Sequence, residues 1–108
     1  IHIEDVCKII LLQIKKLKKI NNDTFNIGGG LKNSISLKNL TSKCEKITKN
    51  KIKIKKVSRT SIFDIPYFVT DNSKIQKIYK WKPSKNIEII LKDIYNWLTE
   101  NKNIRNYF

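Results

Sequence analysis

A chain of 108 residues has room for one domain or a subdomain, with a modest core. Its apolar content of 40% excludes a disordered tail, and its longest apolar run, residues 9–12, is far short of the ~18 residues a membrane span needs. The net charge is +14; separately, the chain starts at Ile1 and lacks methionine, and these two features predict a piece of a longer protein.

Ile1, His2 and Ile3 read as the end of a strand. Asp5 suits the N-cap of a helix reaching to about residue 20, because its carboxylate can accept from first-turn N–H groups. Val6, Ile10, Ile14 and Leu17 follow at helical spacing, and Ile9, Leu11 and Leu12 widen the apolar stripe beyond one face. Residues 24–27 predict a short strand running into Gly28, Gly29 and Gly30, all the glycines of the chain. Ser36 caps a second helix with Leu37, Leu40, Cys44 and Ile47 as its buried stripe. Residues 51–55 alternate Lys and Ile, which predicts a strand with one wet face. Residues 58–64 form a loop, and 65–69 are extended, with Pro66 barring a central-strand position. Asp71 or Asn72 caps a short helix carrying Ile75, Ile78 and Tyr79, which Trp81-Lys82-Pro83 ends. A last helix spans about 86–101, with Ile87, Leu91, Ile94 and Leu98 inward and Trp97 beside them.

The charge invites a nucleic-acid partner, but 21 of the 23 cations are lysine, and Arg59 and Arg105 are the only arginines. Readers of phosphates and bases lean on the planar fork of Arg. Lys, Ile and Asn fill about half the chain and Ala is absent, the mark of an A/T-rich coding sequence, so the charge reads as a solvated surface with no specific nucleic-acid partner. A small basic nucleic-acid-binding module stays as an alternative. Cys7 and Cys44 have only His2 as a further soft ligand, one short of a zinc set, and read as reduced core cysteines.

No nucleophile–base pair and no carboxylate pair can be placed, so no catalytic residue is assigned. The three glycines lack the G-x-G-x-x-G spacing and read as a tight turn. Arg59, followed by Asp64, Tyr67 and Phe68, suits contact with a diphosphate and a base or sugar. The same residues also read as a surface arginine and two aromatics packed on the core.

Taken in order, Ile1-His2-Ile3-Glu4-Asp5-Val6, Phe25-Asn26-Ile27-Gly28-Gly29-Gly30, Asn33-Ser34-Ile35-Ser36-Leu37, the run from Asp64 to Lys74, Trp81-Lys82-Pro83 and a closing Ile94-Tyr95-Asn96-Trp97-Leu98 resemble a known pattern. It is that of the C-terminal part of the NAD-dependent epimerase/dehydratase family, extended short-chain dehydrogenases acting on nucleotide sugars. The resemblance implies an α/β fold, α+β for this stretch alone: the substrate-binding portion of a Rossmann-type dehydrogenase, about four helices with short strands. It would span residues 1–102, with a loose tail over 103–108. It implies a cytoplasmic parent isomerase, a homodimer, whose N-terminal part binds NAD and carries a Tyr-x-x-x-Lys base. This chain would add the side that holds a nucleotide-diphosphate sugar, through Arg59, Tyr67 and Phe68. The alternatives within the family are a UDP-glucose 4-epimerase or a sugar 4,6-dehydratase. The family's diphosphate-gripping Arg would fall at Ser61, so either Arg59 replaces it or the contact is lost. Phe63 and Lys80 stand where the family has Gly. Alone, the chain is expected neither to bind NAD nor to turn over sugar. Its first helix would lack the parallel sheet it packs on in that family, leaving Ile9, Ile10, Leu11 and Leu12 exposed.

Overall fold

A computed structural model describes residues 1–20, 22–55, 57 and 61–103. Four α-helices carry the fold of the described residues: α1 (Ile3–Lys16), α2 (Leu37–Thr48), α3 (Ser73–Tyr79) and α4 (Ile87–Glu100), with a 3-10 turn over Leu31–Asn33. No strand occurs among the described residues. This overturns the expected α/β or α+β fold with short strands. The stretch 24–27 is extended and sets half-buried Phe25 and Ile27 against the core, but no ladder forms. Residues 51–55 leave Ile52 and Ile54 each 62% exposed. Alternation of side chains describes a face and does not supply the neighbouring chain whose N–H and C=O groups a strand must pair with.

The helix termini follow local chemistry. His2, in extended backbone, accepts at Nδ1 from the Glu4 amide at 3.1 Å, and its Nε2 lies 3.3 Å from the Asp93 carboxylate of α4. His2 therefore caps α1 in place of Asp5, which sits fully buried in the first turn. Ser36 caps α2 by accepting from the Asn39 amide at 3.2 Å, as its spacing predicts, and Asn86 caps α4 by accepting from the Ile89 amide at 2.9 Å. At α3 the cap residue is Asn72, but the side chain that accepts from the Ser73 amide is that of Asp71, at 2.8 Å.

The helices pack in two pairs, α1 with α3 and α2 with α4. Only the first pair has a buried core: Ile9, Ile75, Tyr79 and Trp81, joined by Leu12, Ile20, Phe25, Ile27 and Ile78. Phe25 meets Tyr79 edge to face at 5.4 Å, Lys74 lies over Phe25 and Lys16 over Tyr79. α2 and α4 bury no residue fully: Leu37 is 82% exposed, while Ile94 and Trp97 are half exposed. Cys7 is exposed and Cys44 half-buried, so neither is the core cysteine the sequence suggests. The apolar run of α1 divides, with Ile9 buried, Leu12 half-buried, and Ile10 and Leu11 exposed. The radius of gyration, 17.5 Å, exceeds the about 13 Å of a compact chain near this length, in keeping with so much uncovered apolar surface.

Candidate functional site

Three backbone segments converge on one cleft. The first is the glycine loop. Gly30 has φ 66° and ψ −173°, a conformation open essentially to glycine alone, and from it the chain enters the 3-10 turn. Gly28 is pressed on Thr70, whose Oγ1 would stand well inside contact distance of a Cβ at this position. The second segment is the start of α3, where buried Asn72 donates from Nδ2 to the Gly28 carbonyl at 2.9 Å. The third is the link between α3 and α4, where the Lys85 carbonyl accepts from Asn33 Nδ2 at 3.1 Å.

Asp5 fastens that link to α1. Its carboxylate accepts from the Ser84 hydroxyl at 2.6 Å, the Ser84 amide at 3.0 Å and the Lys85 amide at 3.1 Å, while Trp81 Nε1 donates to its carbonyl at 3.2 Å. Burial raises the Asp5 pKa, but the Ser84 hydroxyl and the two amides outweigh it and hold the carboxyl below its ordinary value. Beside it, Lys85 bonds Glu4 at 3.1 Å, which lowers the Glu4 pKa and raises that of Lys85.

The cleft so framed has a volume of about 640 Å³ and is lined by Lys32, Asn33, Gln76, Lys82, Lys85 and Asn86 beside the glycines. A shallower one of about 400 Å³ shares Gly30, Leu31, Asn72 and Gln76 with it and reaches Asp71. The larger cleft has amide and ammonium donors and no carboxylate on its wall, which suits a polar or anionic ligand. The one hydroxyl on its wall, that of Ser84, is committed to the Asp5 carboxylate, and no catalytic role is assigned to it. Among the described residues no cluster of three or more His, Cys, Asp or Glu could hold a metal. The glycine loop does not fit a dinucleotide. Thr70 and Asn33 already fill the space next to Gly28 and Gly29, where a pyrophosphate would need open backbone.

Tyr67 and Phe68, two of the residues singled out for substrate contact, do not line this cleft. Tyr67 and Phe68 are 72% and 75% exposed and do not pack on the core. Arg59 lies outside the described residues. Asp64 closes a turn on Ser61, its carboxylate accepting from the Ser61 amide at 3.2 Å and its own amide donating to the Ser61 carbonyl at 3.1 Å. The sequence reading missed Asn33, Asn72 and Ser84. The one available signal was Asp5, an acidic residue on the inner side of an apolar helix, which needs partners wherever it is buried.

No family model matches the chain, and no solved structure matches it. It is similar to a curated protein, the CDP-paratose 2-epimerase of Salmonella typhi, with 29% identity over 98 residues. The match takes in 90% of this chain and 28% of the length of that protein, within its C-terminal part. Among the described residues no helix is long and apolar enough to cross a membrane.

Proposed function

We propose that this chain is the nucleotide-sugar side, residues 1–102, of an NAD-dependent epimerase of the CDP-paratose 2-epimerase type. The observation that carries the reading is the similarity to that enzyme along 90% of the chain, and the order of the glycine loop, the Asp64–Lys74 run and Trp81-Lys82-Pro83 in the sequence supports it. The identity of the similar protein favours a 2-epimerase over a 4-epimerase or a 4,6-dehydratase. In this reading Arg59 grips the diphosphate with its two-pronged guanidinium, and Tyr67 and Phe68 lay exposed rings against the base or sugar. NAD supplies reversible hydride transfer at the sugar and is held by the part of the cytoplasmic parent outside this chain. This chain's own work is to bind and orient the nucleotide sugar and to exclude water from it. Parent dimerisation would lie with that NAD-binding part.

The test is co-expression of this chain with the NAD-binding part of a CDP-paratose 2-epimerase, assayed on CDP-, UDP- and dTDP-sugars. CDP-sugar epimerisation that falls about tenfold or more in Arg59→Ala, through loss of a charge-assisted bidentate contact, is expected. Activity only on UDP- or dTDP-sugars, or none while the two parts associate, overturns the reading. So does an upstream reading frame lacking a glycine-rich dinucleotide loop and a Tyr-x-x-x-Lys pair.

A further inference from the structure

Lysines by themselves mark no site on so basic a chain, but the cleft beside the glycine loop has a second feature. Asn72 stands on its wall, is 5% exposed, and spends Nδ2 on the Gly28 carbonyl. Its Oδ1, buried from water, has no hydrogen-bond partner among the described residues. Buried polar atoms are nearly always paired, and an acceptor left without a donor costs stability. The shallower cleft reaches the same residue, so Asn72 lies where the two join. Gly30 borders both clefts. Unlike Gly28 and Gly29 it leaves room beside its backbone: among the described residues, the one atom within 4 Å of a Cβ there would be Asn72 Nδ2, at 3.4 Å.

We propose that this cleft binds a phosphate monoester carrying free hydroxyl groups, of the size of a sugar phosphate. A ligand hydroxyl entering beside Gly30 supplies the donor that Asn72 Oδ1 lacks. The phosphate meets Lys32 and Lys82, exposed lysines on the wall that no ion pair holds among the described residues. Lys85, on the same wall, is already paired with Glu4 and is not needed. A phosphate monoester carries about two negative charges at pH 7, which two ammonium groups balance. Asn86, also on the wall, caps α4, so the positive end of that helix dipole lies at the cleft. The volume of about 640 Å³ falls in the range of small-molecule sites and is more than a bare phosphate fills. The crowding that bars a pyrophosphate at Gly28 and Gly29 does not extend to Gly30. Neither Tyr67 nor Phe68 lines the cleft, so the site is separate from the nucleotide-sugar contacts assigned to them.

Titration of the isotope-labelled 108-residue chain, followed by NMR, reads the site directly. Glucose 1-phosphate is expected to saturate at millimolar concentration and to shift the amides of Gly29, Gly30 and Asn33 and the side-chain amide of Asn72. Methyl phosphate keeps the charge and lacks the hydroxyls, so it leaves Asn72 Oδ1 unpaired and should bind about tenfold more weakly. The double variant Lys32→Gln, Lys82→Gln should weaken glucose 1-phosphate by about tenfold or more, with helix content by circular dichroism unchanged. That variant touches none of Arg59, Tyr67 and Phe68, so its result is read apart from the co-expression assay. No saturable shift at tens of millimolar overturns the proposal. So does equal affinity for glucose 1-phosphate, methyl phosphate and sulfate, which means an adventitious ion only. Undiminished binding by the double variant, or shifts confined to lysines of other helices with the glycine loop untouched, overturns it as well.

Discussion

The Asp5 carboxylate and the Ser84 hydroxyl, 79 positions apart in sequence, lie 2.6 Å from each other. With the amides of Ser84 and Lys85 also donating to Asp5, one carboxylate fixes the segment that links α3 to α4 against the start of α1. It thereby joins the helix pair that has a core to the pair that has none.

Removing that carboxylate leaves two amides and a hydroxyl without their acceptor. Asp5→Ala should cost about 1–3 kcal/mol, the penalty for taking a charged acceptor away from three part-buried donors. Urea unfolding followed by circular dichroism and by Trp81 fluorescence measures it. A loss below about 0.5 kcal/mol, the usual size of a surface substitution, would show that the three bonds do not hold the link in solution.

Acid should act through the same group. The folded-state pKa of Asp5 is lowered, so the unfolded chain takes up the proton first as pH falls. The stability from Asp5 is complete above its unfolded value, about 4, and is lost as pH drops through the folded value. Glu4, Asp71 and Glu88 are lowered too, by the hydrogen bonds of Lys85, Ser73 and Lys43, and contribute with the same sign. Glu4 and Glu88 owe their shifts to lysines at the surface, so salt should screen them while leaving the Asp5 contribution. Stability measured from pH 6 to pH 2 in high salt should keep a steeper acid limb in the natural chain than in Asp5→Asn, where Asp71, held by hydrogen bonds from Ser73 that salt does not screen, still contributes. Equal slopes would remove Asp5 from the account.

The glycine loop gives an ordered pair of outcomes. Gly30→Ala must hold a side chain at positive φ in a glycine-only region, a cost of about 1–3 kcal/mol. Gly28→Ala meets Thr70 well inside contact distance, and buried backbone has little room to yield, so it should cost at least as much, about 2–4 kcal/mol. Thr70→Gly should recover part of the second loss and none of the first. Thermal unfolding of the four chains decides it, and rescue of Gly30→Ala by Thr70→Gly would mean the loop is held differently.

Helices were legible because their signals are local. Ser36 caps where its sequence neighbourhood places it, the last helix begins next to Asn86, and Ile75 and Tyr79 are buried as the spacing of α3 predicts. The strands were not, because pairing is a relation to another segment. The alternation at 51–55 is real in the sequence, and both its isoleucines face solvent. Asp5 was misassigned for a related reason. An acid near a helix start is normally a cap, and only the return of Ser84 and Lys85 from the far end of the chain makes it a latch. Of the residues picked for substrate contact, Tyr67 and Phe68 stand in the open, and the cleft that did form draws on Asn33, Asn72 and Gln76, ordinary amides with no motif to announce them.

The two cysteines report on α1 and α2 separately. Cys7 is exposed on the outer face of α1, and Cys44 is half-buried on α2. In dilute solution a thiol reagent should modify Cys7 first, with the site identified by mass spectrometry. If Cys44 reacts first even in dilute solution, the faces of α1 and α2 described above are wrong.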